Sequence, residues 1–349
     1  MNLLAAVHFL FFVALYLATI RAERAPLFGF SNTSGLVSID VVSGLATPIG
    51  SPAPDELEAQ QLSSIDPPRN LLYMSGFNAS NSQLNVLGFD LATGDVTVTI
   101  KLPFLPNTFV GLGVYIAVDT HTGDIYATGP EWRVGQDGER HIVLRIDYDT
   151  KKQTNVGVIP KGVDVIGGDS TFDPINRVLW CTYGSSSKTQ SKGNHLYAVH
   201  VDNGAVEEIN DSPQLSTLNY DSSTGRIYGL SIRRGKITQG EPDYVRMLVF
   251  IDSNDETRAV QVVGEETEYI GGDAAIAAID EGARLHMSYM QPPNQTLEDP
   301  WYFVSIDADK GDIVDARKVG NYFTLPWSLE AYNANLRRDV VAGPSSSTD

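Results

Sequence analysis

Two short patterns recur along this chain with a period of about fifty residues, and this repeat limits the possible folds more than any other feature of the sequence. The first pattern is an apolar run that ends in aspartate and is often followed by turn-forming residues. Its aspartates lie 50, 57, 55, 50 and 55 positions apart by subtraction, at Asp40, Asp90, Asp147, Asp202, Asp252 and Asp307. Such a run, closed by Asp and Gly, is typical of a strand that enters a hairpin.

The second pattern is an aspartate, a short turn and an apolar strand that usually carries an aromatic residue. Its copies begin 53, 54, 48, 59 and 53 positions apart by subtraction, at Asp66, Asp119, Asp173, Asp221, Asp280 and, with asparagine instead, Asn333. Two patterns with one period rarely arise by chance. Interleaved, they predict four antiparallel strands per repeat, which is the blade of a β-propeller.

The two ends of the repeat region complement each other. Residues 27–30 look like a second strand without its first, and residues 327–332 look like a first strand without the rest. We therefore predict an all-β chain with six four-stranded blades, closed by pairing of the N- and C-terminal strands; a seven-bladed ring with one degenerate blade is the alternative. The propeller is expected to span 23–340, followed by a disordered tail at 341–349.

The first 22 residues predict export from the cytosol. Residues 3–20 form one apolar stretch, and small Ala22 is placed to precede a cleavage site, as in a signal peptide. The stretch is also long enough to span a bilayer, so an uncleaved N-terminal anchor is the alternative. Glycosylation sequons fit a secreted, extracellular chain and occur at Asn32, Asn78, Asn210 and Asn294.

Net charge argues against several classes of partner, and the cysteine content excludes an intramolecular disulfide. The formal net charge is −18, so a nucleic acid or an anionic membrane surface would be repelled. We expect no nucleic-acid partner, no membrane contact after signal cleavage, and a monomer. The single cysteine, Cys181, permits no intramolecular disulfide. It lies in an apolar run at 178–183, which predicts a buried, reduced thiol.

The inner strands are located by counting back from the second pattern. Two positions before it the residues are all small, as a crowded axis requires: Ser64, Ala117, Thr171, Asn219, Ala278 and Ala331. Four positions before it come Leu62, Tyr115, Asp169, Thr217, Ile276 and Leu329. Alternation along a strand puts both sets on one face. We therefore expect a narrow channel of mixed character, with Asp169 as the only charged side chain at its level.

This architecture resembles the broad six-bladed propeller group that includes NHL-repeat, strictosidine-synthase-like and SMP-30/gluconolactonase-like proteins. The resemblance covers nearly the whole repeat region, and no motif is specific to one of these families. It implies one divalent cation on the axis, held by carboxylate and asparagine side chains, for which the nearest equivalents are Glu58, Asp169, Asn219 and Asp273. Calcium is the cation expected, since it takes several oxygen ligands. Alternatively, the Gly-Gly-Asp sequences that contain Asp169 and Asp273 form tight turns between blades.

The long connections between second and third strands indicate a binding surface. They cover 129–139, 184–194, 233–243 and 291–299 and are expected on one face of the ring, where propellers usually bind. The candidate ligand-binding residues are Trp132, Arg233, Arg234 and, near the channel mouth, Trp327. The sequence therefore predicts a secreted propeller that binds a protein or glycan through this face. The alternative is a cation-assisted hydrolase or lyase acting on a small molecule at the channel, so catalysis stays open.

Overall fold

The structure is a computed structural model that describes most of the repeat region. The described residues are 24–31, 34–52, 57–78, 83–103, 114–131, 140–159, 169–183, 195–209, 214–215, 217–238, 241–255, 257–267, 277–291, 298–320, 325–326 and 328–333. For 57–62, 78, 130–131, 140, 214, 232–238, 241–246 and 265–267 only the backbone is described. Within the described part no helix is long and apolar enough to cross a membrane. The predicted signal peptide and tail lie outside it.

Six antiparallel sheets make up the molecule. The chain begins in the last of them with β1 (Leu27–Ser31), β2 (Gly35–Ile39) and β3 (Ala46–Pro48). Blade 1 contains β4 (Leu57–Asp66), a short 3-10 turn (Pro67–Arg69), β5 (Leu71–Asn78), β6 (Gln83–Asp90) and β7 (Val96–Lys101). Blade 2 contains β8 (Tyr115–Val118), β9 (Ile125–Glu131), β10 (Arg140–Ile146) and β11 (Gln153–Ile159). Blade 3 contains β12 (Ser170–Asp173), β13 (Val178–Tyr183), β14 (His195–His200) and β15 (Ala205–Ile209).

Blade 4 is the one with two short inner strands. Its β16 (Gln214–Leu215) and β17 (Asn219–Asp221) both pair with β18 (Arg226–Thr238), which continues to β19 (Glu241–Asp252) and β20 (Val260–Thr267). Blade 5 contains β21 (Ala277–Asp280), β22 (Leu285–Met290), β23 (Trp301–Asp307) and β24 (Ile313–Gly320). Finally β25 (Glu330–Ala331) joins β1, β2 and β3 to complete blade 6.

The two ends of the described chain close the ring in blade 6. In the pairing of β25 with β1, Leu27 lies opposite Ala331 and Phe28 opposite Glu330. The Tyr332 N–H continues this ladder with a 2.8 Å hydrogen bond to the Pro26 carbonyl. Inner strands contact one another in the order β4, β8, β12, β17, β21, β25 and back to β4. The prediction of six blades is confirmed over the seven-bladed alternative.

The second sequence pattern forms the hairpin between the first two strands of a blade. Its aspartate accepts backbone N–H bonds from the turn that follows, as Asp173 does from Ile175 at 2.9 Å and Asn176 at 3.0 Å. Four residues after the aspartate the backbone is left-handed, with φ between 56° and 82°, at Asn70, Gly123, Arg177, Gly225 and Arg284. The pattern therefore recurs because an Asx-type turn and a positive φ recur.

In blade 3 the first pattern is shifted from its predicted position. The turn between its third and fourth strands is closed by the Gly204 N–H on the His200 carbonyl at 2.8 Å, as Gly94 closes on Asp90 in blade 1. His200, rather than Asp202, therefore holds the equivalent position. The two flanking intervals become 53 and 52 by subtraction from Asp147 and Asp252, so the repeat is more even than the aspartates alone indicate.

The core consists of side chains packed between neighbouring blades. Alternate residues of each second strand face the blade before and the blade after, which divides the buried side chains into six clusters. Trp180 and Trp301 are among the largest fully buried side chains. Cys181 lies in the cluster between blades 2 and 3, and its thiol is free and buried as predicted.

Candidate functional site

Strand directions separate the two faces of the ring. At one face the chain makes the tight hairpins of both sequence patterns. At the other face β5, β9, β13, β18 and β22 end and the inner strands begin. We call this second side the loop face. The strands that flank the predicted long connections all end there, so the prediction that these connections share one face is consistent with the topology.

Blade 4 differs from its neighbours at the loop face. Strand β18 has 13 residues, whereas the corresponding strands β13 and β22 have 6 each. The predicted loop at 233–243 is therefore largely strand: Arg233 pairs with Val245, Arg234 with Tyr244, and Thr238 with Glu241. Seven extra residues at about 3.3 Å each carry the hairpin roughly 20 Å further than a neighbouring second strand. We call residues 233–238 and 241–245 the ribbon.

The structure describes only some of the predicted site residues. Arg233 and Arg234 belong to the ribbon, with only their backbone described, while Trp132 and Trp327 lie outside the described residues. Of the predicted metal ligands, the Asp169 and Asn219 side chains are described, Glu58 has only its backbone in β4, and Asp273 is outside. The sequons at Asn32, Asn210 and Asn294 are outside as well, and the backbone of Asn78 ends β5.

The inner strands surround a narrow polar channel. Its cavity is about 90 Å³, well below the roughly 300–1,000 Å³ of sites for drug-sized ligands. Ser64, Thr171 and Asn219 line it as predicted. The hydroxyls also join blades: Ser64 accepts the Val118 N–H and Thr171 accepts the Tyr220 N–H, both at 3.1 Å. These small residues thus provide hydrogen-bond acceptors for backbone N–H groups on the inner strand of the next blade, and they also leave space in the channel.

Asp169 lies in this channel and connects blade 3 to blade 4. One carboxylate oxygen accepts the Ser170 N–H at 2.8 Å, and the other accepts the Leu218 N–H at 2.7 Å. Burial raises the pKa of Asp169 to about 7, although both hydrogen bonds act to lower it. The carboxyl group therefore titrates near neutral pH. Its contact with Leu218 agrees with the alternative interpretation, in which this Gly-Gly-Asp supports a junction between blades.

A second acidic side chain, Glu330, shares the channel and was missed by sequence reasoning. It lies on β25, and the Ser63 hydroxyl donates a 2.9 Å hydrogen bond to its carboxylate. Burial raises the pKa of Glu330 well above its usual range, and the nearby Asp169 charge raises it further. The sequence indicated Asp169 as the only charged side chain at its level, whereas the described lining of the channel also contains Glu330 and Glu281. Neighbouring residues of one inner strand, which point to opposite faces of the sheet, both line the channel, because the edge of each inner strand faces the axis.

The described side chains only partly resemble a cation site. Asp169, Glu330 and Asn219 line one channel, and the Asn219 amide nitrogen has no hydrogen-bond partner among the described residues. No group of three or more His, Cys, Asp or Glu side chains within that part of the chain is arranged to hold a metal. Calcium binding therefore stays a prediction.

Comparison with known proteins supports the fold. No family profile and no curated protein sequence matches the chain. Among solved structures, it is similar to TolB from Acinetobacter baumannii, with 12% identity, a TM-score of 0.53 and coverage of 85% of this chain and 67% of that one. It is also similar to hydrazine synthase from Kuenenia stuttgartiensis, with 13% identity, a TM-score of 0.51 and coverage of 84% of this chain and 82% of that one. The periplasmic gluconolactonase of Pseudomonas aeruginosa has 12% identity, a TM-score of 0.46 and coverage of 86% of this chain and 97% of that one. The class of this protein is the six-bladed β-propeller, and at such identities the likeness extends to the fold alone.

Proposed function

We propose that this chain is a secreted binding propeller that recognises an extracellular protein or glycan through its loop face. The ribbon of blade 4 is the observation that carries this proposal. It extends beyond the neighbouring second strands, and among the described residues its two strands pair only with each other from Arg233 outward. Unpaired strand edges are where a partner chain can add a strand, while side chains along the ribbon give specificity.

The charge of the ribbon supports the same function. Its first strand, 233–238, carries Arg233, Arg234 and Lys236, whereas its second strand carries Glu241 and Asp243, on a chain whose net charge is −18. A local basic segment on an acidic protein steers acidic partners towards one side and repels them elsewhere. An acidic protein surface or a sulfated or uronic-acid glycan has the complementary charge.

The test is a charge reversal in the ribbon. In Arg233→Glu/Arg234→Glu we expect binding to extracellular proteins and glycan arrays to weaken at least about tenfold, through a slower association rate. Lys151→Glu/Lys152→Glu, in the hairpin between β10 and β11 on the opposite face, is the matched control and should bind as the wild type does. Equal binding by the wild type and the ribbon variant, with equal melting temperatures, would show that the loop face is not the recognition surface.

A divalent cation in the channel, assisting a hydrolase or lyase reaction on a small molecule, is the second candidate. The carboxyl groups of the channel favour it, because three of them, on Asp169, Glu281 and Glu330, and no basic side chain are among its described lining. Calcium would be held by these oxygens, and it would polarise a bound carbonyl or water. The proposal predicts a higher melting temperature with millimolar calcium that a chelator reverses and that Asp169→Asn or Glu330→Gln abolishes. An unchanged melting temperature at millimolar calcium would reject the cation site.

A further inference from the structure

The ribbon of blade 4 has two free edges that face different parts of the molecule. Strand β18 pairs with β16 as far as Ile232, which lies opposite Gln214, and β19 pairs with β20 as far as Arg246, which lies opposite Thr267. Beyond these positions neither strand pairs with a further strand among the described residues, apart from its partner in the ribbon. The free edge of β18 therefore lies on the side of the inner strands and the channel, and the free edge of β19 lies on the side of the outer strands.

The backbone groups that face the free edge of β18 follow from the ladder below it. The Leu230 N–H points towards the inner strands, because it donates a 3.1 Å hydrogen bond to the Thr217 hydroxyl. Backbone groups alternate between the two edges of a strand in an antiparallel ladder, so those of Ile232 and Arg234 point the same way. Ile232 lies opposite Gln214, whereas no strand of the described chain lies opposite Arg234 on this side. Arg234 is therefore the first residue whose N–H and C=O face an added strand.

The two edges also differ in charge and in proline content. Residues 233–238 of β18 include three basic residues and no acidic one, whereas 241–245 of β19 include two acidic residues and no basic one. Pro242 lies within the β19 segment, and a proline cannot donate a backbone hydrogen bond to an added strand. Proline at an edge is a common protection against strand addition. The edge that stays open to an added strand is therefore the basic edge of β18.

The basic positions favour an added strand with neighbouring acidic residues. Arg233 and Arg234 are consecutive, so they lie on opposite faces of the strand, and each face carries a positive charge. Opposite charges on neighbouring strands stabilise their pairing, and like charges destabilise it. The register between β18 and β19 shifts between Arg234 and Ile237, which limits the regular edge to a short length. A short run of consecutive Asp or Glu residues fits this edge.

We propose that the β18 edge of the ribbon binds a short acidic segment of a partner protein as an added antiparallel strand. This inference rests on the proposed function and makes it more specific, because it selects an extended peptide over a glycan and one edge of the ribbon as the site. The main chain of the segment forms hydrogen bonds with the N–H and C=O of Arg234. Its carboxylates pair with the basic positions Arg233, Arg234 and Lys236.

The probe is a fluorescein-labelled peptide, Thr-Val-Glu-Glu-Glu-Glu-Val-Thr, whose binding to the full chain is followed by fluorescence anisotropy. We expect saturable binding with a Kd on the order of 100 µM. The same peptide with Lys in place of Glu should not bind. Two further peptides carry N-methyl groups on one or the other alternate set of backbone nitrogens. One set should weaken binding at least about tenfold and the other much less, because only one edge of the added strand faces β18.

Two variants of the protein locate the site. In the first, Asn-Gly replaces residues 233–245, so that Ile232 and Arg246 are joined by a two-residue hairpin turn. This chain should keep the melting temperature of the wild type and lose the peptide. The matched control is Pro242→Thr, which restores a backbone N–H on the other strand of the ribbon and should bind the peptide as the wild type does.

The outcomes distinguish this inference from the proposed function. No saturable binding of the acidic peptide by the wild type, equal effects of the two methylated sets, or retention of the peptide by the shortened chain would each overturn strand addition. If the peptide does not bind but heparin, a sulfated glycan, binds and is lost in Arg233→Glu/Arg234→Glu, recognition by the loop face stands and the partner class inferred here is wrong. If the variant retains every partner of the wild type, the proposed function fails as well.

Discussion

His286 is an unusual residue in the core of this propeller. It lies on β22, is 0% exposed, and neither ring nitrogen has a hydrogen-bond partner among the described residues. The same register position in other blades, six residues after the turn aspartate, is occupied by aliphatic side chains: Leu72, Ile125, Leu179 and Ile227. Burial lowers the pKa of His286 from 6.5 to about 4, so the folded protein keeps the ring neutral. An apolar side chain would fill this position without leaving polar atoms unpaired.

We expect His286→Leu to remove a pH-dependent loss of stability. Below pH 6.5 the unfolded chain binds a proton at this histidine, whereas the folded chain binds it only near pH 4, so the wild type loses stability as the pH falls through this window. The loss is about 3 kcal/mol, from 1.36 kcal/mol per pKa unit. Denaturant unfolding of both proteins at pH 7.5 and pH 4 measures it. A stability difference between them that is the same at both pH values would contradict this role.

Cys181 should be chemically inert in the folded protein. Burial raises the pKa of its thiol to about 12, so very little thiolate forms at neutral pH, and the side chain is inaccessible. A thiol reagent is expected to label the protein only after denaturation, as followed by mass spectrometry. Rapid labelling of the native chain, or a disulfide-linked dimer on a non-reducing gel, would disagree with the structure.

At the scale of elements, arginine residues tie a blade to the one before it. In the first hairpin of blade 3, Arg177 contacts Asp119 and lies 3.3 Å from the Tyr126 hydroxyl, both in blade 2. The same arrangement recurs two blades further on, where Arg284 contacts Asp221, Asp309 and the Tyr228 hydroxyl. Both arginines have a left-handed backbone, with φ of 57° and 56°. Their guanidinium groups therefore offset a conformation that would otherwise favour glycine.

At position 284 a glycine variant should be more stable than an alanine variant, which is the reverse of the usual order. Arg284→Ala is expected to lose about 3 kcal/mol of unfolding free energy, because it leaves the fully buried Asp221 carboxylate without its cationic partner, with only the hydrogen bonds from Ser223 and Thr224. Arg284→Gly loses the same ion pair but relieves the left-handed backbone, and should be about 1 kcal/mol more stable than the Ala variant.

The control for this pair of variants is Arg317→Ala, which breaks a more exposed ion pair with Asp315. It should cost less than about 1 kcal/mol. Denaturant unfolding curves of the three variants give the comparison. A glycine variant less stable than the alanine variant would show that backbone strain is unimportant at Arg284.

For the whole molecule, closure of the ring depends on the short strand β25 and the residues beside it. The Ser328 hydroxyl accepts the Phe30 N–H at 3.0 Å, and Glu330 accepts the Ser63 hydroxyl in blade 1. On the other side, Asn333 accepts the Glu281 N–H and donates to the Ile279 carbonyl in blade 5. A few residues thus hold three blades together.

We predict that deletion from residue 327 onward prevents folding, whereas truncation after residue 340 has almost no effect. The longer deletion leaves buried backbone groups of β1 unpaired, at about 1–3 kcal/mol each, which rivals the stability of a domain. The shorter one removes no described contact. Secretion yield and melting temperature of both chains give the comparison. A chain ending at residue 326 that is secreted in good yield and melts near the full-length temperature would refute closure by β25.

Features of the local chain could be predicted from the sequence. The period, the blade count and the turn positions follow from aspartates that accept their own turn N–H groups and from left-handed positions such as Gly94 and Gly123. Burial of Cys181 followed from its apolar run. These features depend on residues a few positions apart, so one sequence is enough. One turn position was nevertheless predicted wrongly. In blade 3 the position assigned to Asp202 is held by His200, because the turn is closed by a backbone carbonyl and a glycine N–H and does not require an aspartate carboxylate.

Contacts between blades were decided only by the tertiary structure. The channel shared by Asp169 and Glu330 and the ties from Arg177 and Arg284 join residues whose meeting depends on the tilt and spacing of separate sheets. The alternation of side chains along a strand shows which residues share a face of the sheet. It does not show that the edge of an inner strand, rather than one of its faces, borders the axis. Glu330 was missed for that reason. The length of the ribbon likewise depends on cross-strand pairing, and no local pattern at 233–243 predicts that pairing.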